Sequence, residues 1–205
     1  MQVLLSTTYF GPVQWYQKLH RADSVLIERW ESFQKQTYRN RCLIATTQGV
    51  QALTVPVVRG VVGDLQSPTI KDIRISDHGN WRHLHWMALQ SAYGESPFFE
   101  YYQDDIRPFF EKRWDYLLDY NEAICNKICE LIDILPKIEY TSGFLVEPDN
   151  QFDFRSAINP KHPEQDNDFT PKPYYQVYAA KHGFLPNLSV LDLLFNMGPE
   201  GIFYL

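Results

Sequence analysis

The sequence predicts an α/β fold: a mixed β-sheet with an N-terminal β-α-β unit and a following helical cluster, in a single domain over residues 1–205. Three observations predict it. Strand, helix and strand patterns follow one another within about thirty residues, as in a right-handed parallel crossover. Two β runs, 41–46 and 50–58, then flank a short turn. Helical stripes fill most of the chain between residues 80 and 135.

Residues 2–8 alternate weakly and end in Ser6-Thr7-Thr8, a first strand. Pro12 suits the start of a helix because it has no amide hydrogen to lose. Val13–Ala22 is that helix, and Asp23-Ser24 leads into the strand Val25-Leu26-Ile27. Arg41–Thr46 and Val50–Val58 form a hairpin through Thr47-Gln48-Gly49, and Lys71–Ser76 alternates as another strand. Asn80–Tyr93 sets Trp81, Leu84, His85, Ala88, Leu89 and Ala92 at helical spacing, with Gly94 placed to end it. Pro97–Lys112 is a second helix, broken or kinked at Pro108. The stripe from Trp114 to Leu135 predicts a helix of about 33 Å at about 1.5 Å per residue, stopped by Pro136. Ile138–Thr141 is a short strand. Residues 147–173 are polar and repeatedly interrupted by proline, which predicts a functional loop, a lid or a disordered excursion. Leu188–Met197 is apolar almost all round, so it is a buried helix, closed by Gly198-Pro199.

Hydrophobic residues at 44% and charged residues at 21% exclude disorder, collagen and coiled-coil arrays. With 19 Lys+Arg against 25 Asp+Glu the net charge is −6, which disfavours nucleic acid because counterion release needs a positive field. Cys42, Cys125 and Cys129 offer no paired zinc motif and are expected as free buried thiols of a reducing cytoplasm, with no metal. No basic leader and no membrane-length apolar run are present, so a cytoplasmic protein without a membrane span is expected. The aromatics are in excess, at 13 Phe, 13 Tyr and 5 Trp. Trp81, Trp114 and Phe195 lie on buried stripes; Tyr9–Tyr16, Phe98–Tyr102 and Tyr174–Tyr178 are expected to supply spare ring surface.

No glycine-rich phosphate loop, GxSxG elbow or HExxH is present. Five weaker constellations remain. Lys35, Arg39, Asn40 and Arg41 form either a grip for phosphate or carboxylate or a solvated turn guarding an edge strand. In Trp81-Arg82-His83-Leu84-His85, His85 faces inward, as a hydrogen-bonded core residue or, beside a cleft, a general base. Asn121, inside an apolar stripe, pins neighbouring backbone or lines a pocket. Asp153, Arg155 and Lys161 open the polar loop, as a closure over a charged substrate or an ordinary surface ion pair. Ser189 with Asp192 is a variant capping box, and the amides from Asn187 to Val190 offer an anion site.

These motifs recur in order: Tyr9-Phe10-x-Pro12 with Trp15-Tyr16, Arg39-Asn40-Arg41 before Leu53-Thr54-Val55-Pro56-Val57, and Trp81-Arg82-x-x-His85 with Tyr93 and Pro97-Phe98-Phe99. Asp153-x-Arg155-x-x-Ile158-x-Pro160-Lys161, Tyr175-x-x-Tyr178, Gly183-Phe184-x-Pro186-Asn187-Leu188-Ser189-Val190-x-Asp192-Leu193-Leu194-Phe195 and Gly198-Pro199-Glu200 follow. In this order they resemble the WbqC-like proteins of bacterial surface-polysaccharide gene clusters, over nearly the whole chain. Thr7-Thr8 departs from the Gln-Pro of that family's form, and Gly11 from a bulkier residue. The resemblance implies O-antigen or capsule biosynthesis and a small-molecule substrate, a nucleotide sugar. That setting, together with the cation cluster, the candidate base and the abundant rings, leads to the expectation of a transferase that acylates or aminoacylates an amino sugar from an unidentified acyl donor, with no bound cofactor. Arg39, Arg41 and Arg155 would hold diphosphate or carboxylate, with Lys35, Trp81, Arg82, Asp153, Lys161 and Asn187 as further substrate contacts. His85 would take the proton of the attacking amine, Asn40 would orient it, and the spare rings would stack on base or sugar. The alternative is a non-catalytic sugar-nucleotide-binding or accessory protein of the same pathway.

Overall fold

The computed structural model describes residues 1–58, 68–146 and 152–205. The first five positions of the proline-interrupted 147–173 stretch, Pro148 among them, lie outside the described residues. The chain opens as β1 (Gln2–Ser6), α1 (Val13–Arg21) and β2 (Ser24–Glu28). β1 and β2 pair in parallel, Val3 opposite Val25 and Leu5 opposite Ile27. These four side chains share one face of the pair and are buried, while on the other face Leu4 is buried and Leu26 half-buried. Pro12 precedes α1 with φ −70°, and Lys18 and Arg21 place positive charge at its carboxyl end.

The hairpin forms from β3 (Arg41–Thr46) and β4 (Gly49–Thr54), with Cys42 opposite Leu53. Gly49, expected in the turn, is instead the first residue of β4, at φ +105°. The run expected to continue to Val58 breaks at Val55-Pro56, because proline has no amide hydrogen for a ladder. Beyond it β5 (Val57–Val58) pairs antiparallel with β6 (Arg74–Ile75). The strand expected over Lys71–Ser76 is thus only two residues long. Its first half is a 3₁₀ turn, Ile70–Asp72, where Thr69 Oγ1 donates to the Asp72 carboxylate at 2.6 Å.

The helical cluster comprises α2 (Trp81–Tyr93), α3 (Phe99–Ile106), α4 (Pro108–Glu111) and α5 (Leu117–Leu131). Pro108 divides the expected second helix in two. α5 is shorter than its stripe: at 15 residues it runs about 22 Å. At its start Trp114–Tyr116 is drawn out beside β6, with the Ile75 amide donating to the Asp115 carbonyl at 2.9 Å. At its end Asp133 takes φ +57° and the Ile134 amide returns to Cys129.

β7 (Ile138–Tyr140) adds to β2 in parallel, Val25 opposite Ile138. On the far edge of β1, the Leu4 amide donates to the Phe152 carbonyl at 2.8 Å and the Phe154 amide to the Leu4 carbonyl at 2.9 Å, a parallel bridge at Asp153. The spatial order is therefore 152–154, β1, β2, β7, every neighbour parallel.

The chain closes with α6 (Ala179–His182), α7 (Val190–Met197) and a 3₁₀ segment, Gly198–Tyr204, so Gly198-Pro199 tightens the chain rather than stopping it. Gly198 sits at φ +56°, and a Cβ there would lie 2.6 Å from the Phe98 ring. The expected capping box is only half formed. Ser189 Oγ accepts the Leu191 amide at 3.3 Å, but the Asp192 carboxylate turns into the core. There it accepts Tyr93 Oη at 2.9 Å, Tyr174 Oη at 2.7 Å and Gln176 Nε2 at 2.8 Å. These bonds tie α2, α7 and the 174–176 segment together. Among the described residues no helix is long and apolar enough to cross a membrane.

Asp192→Ala strands three buried donors and is expected to lower the unfolding free energy by about 2–4 kcal/mol, measured by urea denaturation. Asp192→Asn, which keeps an acceptor oxygen, is expected to lose clearly less. Equal losses would show that the three bonds contribute nothing.

Candidate functional site

In open sheets of parallel strands, ligands bind beyond the carboxyl ends, where strand order reverses. Here it reverses at β1: the chain leaves toward β2 and β7 and returns on the opposite edge. The residues that follow the four parallel segments therefore meet: Ser6–Thr8 after β1, Glu28–Glu31 at the end of β2, Thr141 after β7, and Arg155 after 152–154.

Two guanidiniums organise this edge. Arg39 Nε donates to Glu31 Oε1 at 2.8 Å and its Nη2 to the other oxygen of Glu31, while Nη2 also reaches Ser6 Oγ at 2.7 Å. Both partners are almost entirely buried. Arg155 grips Asp153 through Nε and Nη2, the latter at 2.8 Å, and sends Nη1 to Glu28 Oε2 at 3.2 Å. Glu28 has 0% exposure, and it also accepts the Trp30 amide at 2.9 Å, Thr141 Oγ1 at 2.7 Å and the Leu145 amide at 3.1 Å. Ser6, Thr7, Thr8, Arg39 and Arg155 line a shared cleft of about 10 Å³, room for one water. Arg39 and Arg155 thus come together, but each guanidinium is already matched by the chain's own carboxylates.

Thr8 lines the same cleft, and its buried Oγ1 has no partner among the described residues. A Cβ on Gly11 would fall 2.3 Å from that oxygen. Thr8 and Gly11, two of the positions that depart from the family form, therefore fit each other in space.

Exposed rings stand at the strand ends outside the lining of that cleft, Tyr140 turned toward the groove it shares with Cys129 and Ile134. Trp30 is 38% exposed, Tyr140 36% and Phe144 52%, and all three lie at or just beyond strand ends. A cation covers each: Lys71 Nζ lies 4.7 Å from the Trp30 ring centre, Arg29 5.1 Å from Tyr140 and Arg155 5.3 Å from Phe144. Trp30 is fixed by its indole N–H donating to the Thr141 carbonyl at 3.1 Å. The rings expected to be spare are mostly not. Tyr9, Phe10, Trp15, Tyr16, Phe99, Tyr102 and Tyr174 are buried, and only Tyr101 and Tyr175 of those clusters stand well out. Nearness to turns in the sequence is no measure of exposure. Position after a predicted parallel strand would have found Trp30.

The other predicted residues fall elsewhere. His85 is buried with Nδ1 2.9 Å from Tyr9 Oη, its ring 5.1 Å from that of Trp81. Burial pulls its pKa down to about 4, against a smaller upward pull from the Thr54 backbone, so the imidazole is neutral at pH 7. Asn40 exchanges bonds with Val55: its Nδ2 donates to the Val55 carbonyl, and the Val55 amide to its own carbonyl, both at 2.8 Å. Asn121 Nδ2 pins the Arg39 carbonyl at 2.8 Å. Arg41 Nε reaches Thr54 Oγ1 across the hairpin at 3.1 Å, and Lys35 is exposed. Trp81 gives its indole N–H to the Ser76 carbonyl, and Arg82 bonds Asp77 beside it. Lys161 contacts the Gln36 side chain. Asn187, at φ +54°, is engaged with Gln14 through two 3.0 Å bonds. Cys125 and Cys129 are buried free thiols, and among the described residues no group of His, Cys, Asp or Glu is arranged to hold a metal ion.

The model of the WbqC-like protein family matches residues 7–165. The uncharacterized protein Rv1507c of Mycobacterium tuberculosis is 27% identical over 213 residues, covering 89% of this chain and 87% of its own. No solved structure matches the chain.

The native state binds fewer protons at His85 than the unfolded state between pH 4 and 6.5, so its contribution is complete above about pH 6.5 and is lost as pH falls toward about 4. The advantage of wild type over His85→Gln in urea unfolding is expected to shift by about 3 kcal/mol, in favour of the variant, across that window. A pH-independent difference would show that His85 is not held neutral.

Proposed function

The chain belongs to the WbqC-like protein family, and on that premise we propose that it acts on a nucleotide-activated sugar in bacterial surface-polysaccharide biosynthesis, transferring an acyl or aminoacyl group to an amino sugar. The observation that carries the ligand class is the exposed ring surface of Trp30 and Phe144 beside the Asp153–Arg155 pair: Phe144 lies 5.3 Å from the Arg155 guanidinium, and the Trp30 amide bonds Glu28, the carboxylate that Arg155 also holds. A sugar presents an apolar face and a rim of hydroxyls. Flat rings take the face, and fixed carboxylate and guanidinium groups take the rim. The net negative cluster of Glu28, Glu31 and Asp153 against Arg39 and Arg155 suits an amino sugar's ammonium group. In the transfer, the freed amine attacks the acyl carbon and the donor's leaving group departs with the nitrogen's second proton, the bound ammonium having first given up one. Asp153, 18% exposed, is the most open carboxylate of the cluster and the candidate to receive it. His85, neutral behind Tyr9, is not at this edge.

A second reading has its own support. The arginines here are neutralised by the chain itself, and Ser6 Oγ faces Arg39 rather than a base, as in a protein that holds a sugar nucleotide without chemistry.

Calorimetry against UDP-, GDP- and dTDP-sugars is expected to show binding of one class, weakened about tenfold or more by Trp30→Ala and by Phe144→Ala at unchanged melting temperature. Heat with none of them, or wild-type affinity in both variants, would remove the proposed site. Product in mass spectra after adding acyl-coenzyme and aminoacyl donors supports the transferase; intact ligand with every donor supports the binding protein.

A further inference from the structure

A cavity of about 310 Å³ lies at the start of α2, and it shares no lining residue with the strand-end cleft. Arg82, Arg107 and Arg113 reach it, with His83 and the rings of Trp86 and Phe110 in its wall. Two carboxylates temper the arginines: Asp77 accepts Arg82 Nη1 at 2.7 Å and lies 3.6 Å from Arg113, and Glu111 accepts Arg107 Nε at 2.6 Å. Three guanidiniums against two carboxylates leave a positive locus on a chain whose net charge is −6.

Arg82 is the telling residue. Its side chain is only 14% exposed and lies over the Trp81 ring, yet its buried Nε and Nη2 have no acceptor among the described residues. A desolvated guanidinium with two idle nitrogens is unfavourable and calls for an acceptor. The first amides of α2 add to the demand. A 13-residue helix begins here with no acidic residue in its first turn and no side-chain bond from Asn80, so its first amides have no side-chain cap among the described residues. Oxyanion geometry matches both features, since phosphate oxygens accept forked guanidinium bonds and helix amides together.

We propose that this cavity is a binding site for a phosphoryl group, carried as a monophosphate or a diphosphate on a small ligand. The α2 amides hold its inner oxygens together with Arg82, whose occluded Nε and Nη2 are freed when its guanidinium swings off the Trp81 ring; Arg107 and Arg113 close over the outer ones, and Trp86 and Phe110 bound the part of the ligand that is not phosphate. The site stands independently of the strand-end reading.

Full-length protein is titrated calorimetrically with inorganic phosphate and with pyrophosphate at constant ionic strength. Saturable one-to-one binding of either is expected, and the tighter of the two identifies monophosphate or diphosphate. Arg107→Gln with Arg113→Gln, both on exposed side chains, is expected to weaken it at least tenfold without changing the melting temperature, and Glu111→Gln to tighten it severalfold. Trp30→Ala, at the strand ends, is expected to leave it unchanged. Absence of saturable binding by both anions, or equal binding by wild type and the double arginine variant, would overturn the site.

Discussion

The buried pair of Arg39 and Glu31 is the constraint on which the strand-end architecture hangs. Through Ser6 it reaches the end of β1, and through Glu31 the segment that follows β2. The Arg39 backbone carbonyl is held by Asn121 from α5, while the neighbouring Tyr38 carbonyl accepts the Tyr9 amide. One residue thus joins the end of the parallel sheet, through its side chain, to the long helix, through its backbone carbonyl, two positions before the hairpin begins. Such a pair adds little over well-packed apolar residues of the same volume, but losing one partner strands a charge in the interior. Its consequence is positional: the chain cannot rearrange this edge without exposing or orphaning a buried ion.

The same logic orders the irregular segment after Phe152. Lys18 on α1, almost wholly buried, pairs with Asp166 at 2.8 Å and lies 4.3 Å above the Phe154 ring. Gln14 bonds the same carboxylate, and Gln17 the Asp168 carbonyl, each at 2.9 Å. Arg155 fastens the start of that segment to Glu28. A stretch without regular secondary structure is therefore held by charge and amide contacts to the first β-α-β unit, and it delivers Asp153 and Arg155 to the strand ends.

Much of this fold was legible because local pattern determines it. The apolar runs 3–5 and 25–27, the stripe of α2 and the break at Pro108 all follow from periodicity and proline chemistry. The polar partnerships were not. Glu28 and Arg155 stand 127 positions apart, and nothing local distinguishes a carboxylate destined for a guanidinium from one destined for water. Arg39 and Arg155 were visible as cations, but Glu28 and Glu31, which neutralise them, were not. Ring exposure failed for a related reason. Tyr9 and Tyr16 flank a helix start that folds inward, whereas Trp30 and Phe144 follow strands whose order only the three-dimensional pairing reveals.

A double-mutant cycle on Arg39 and Glu31 tests the central constraint most directly. Arg39→Met alone is predicted to cost about 3–5 kcal/mol in urea unfolding, because Glu31 is left buried and unpaired. Adding Glu31→Leu is predicted to restore most of that loss, with a coupling energy of about 2 kcal/mol or more. Losses that simply add would show that the two residues act independently and that the strand ends are held by something other than this pair.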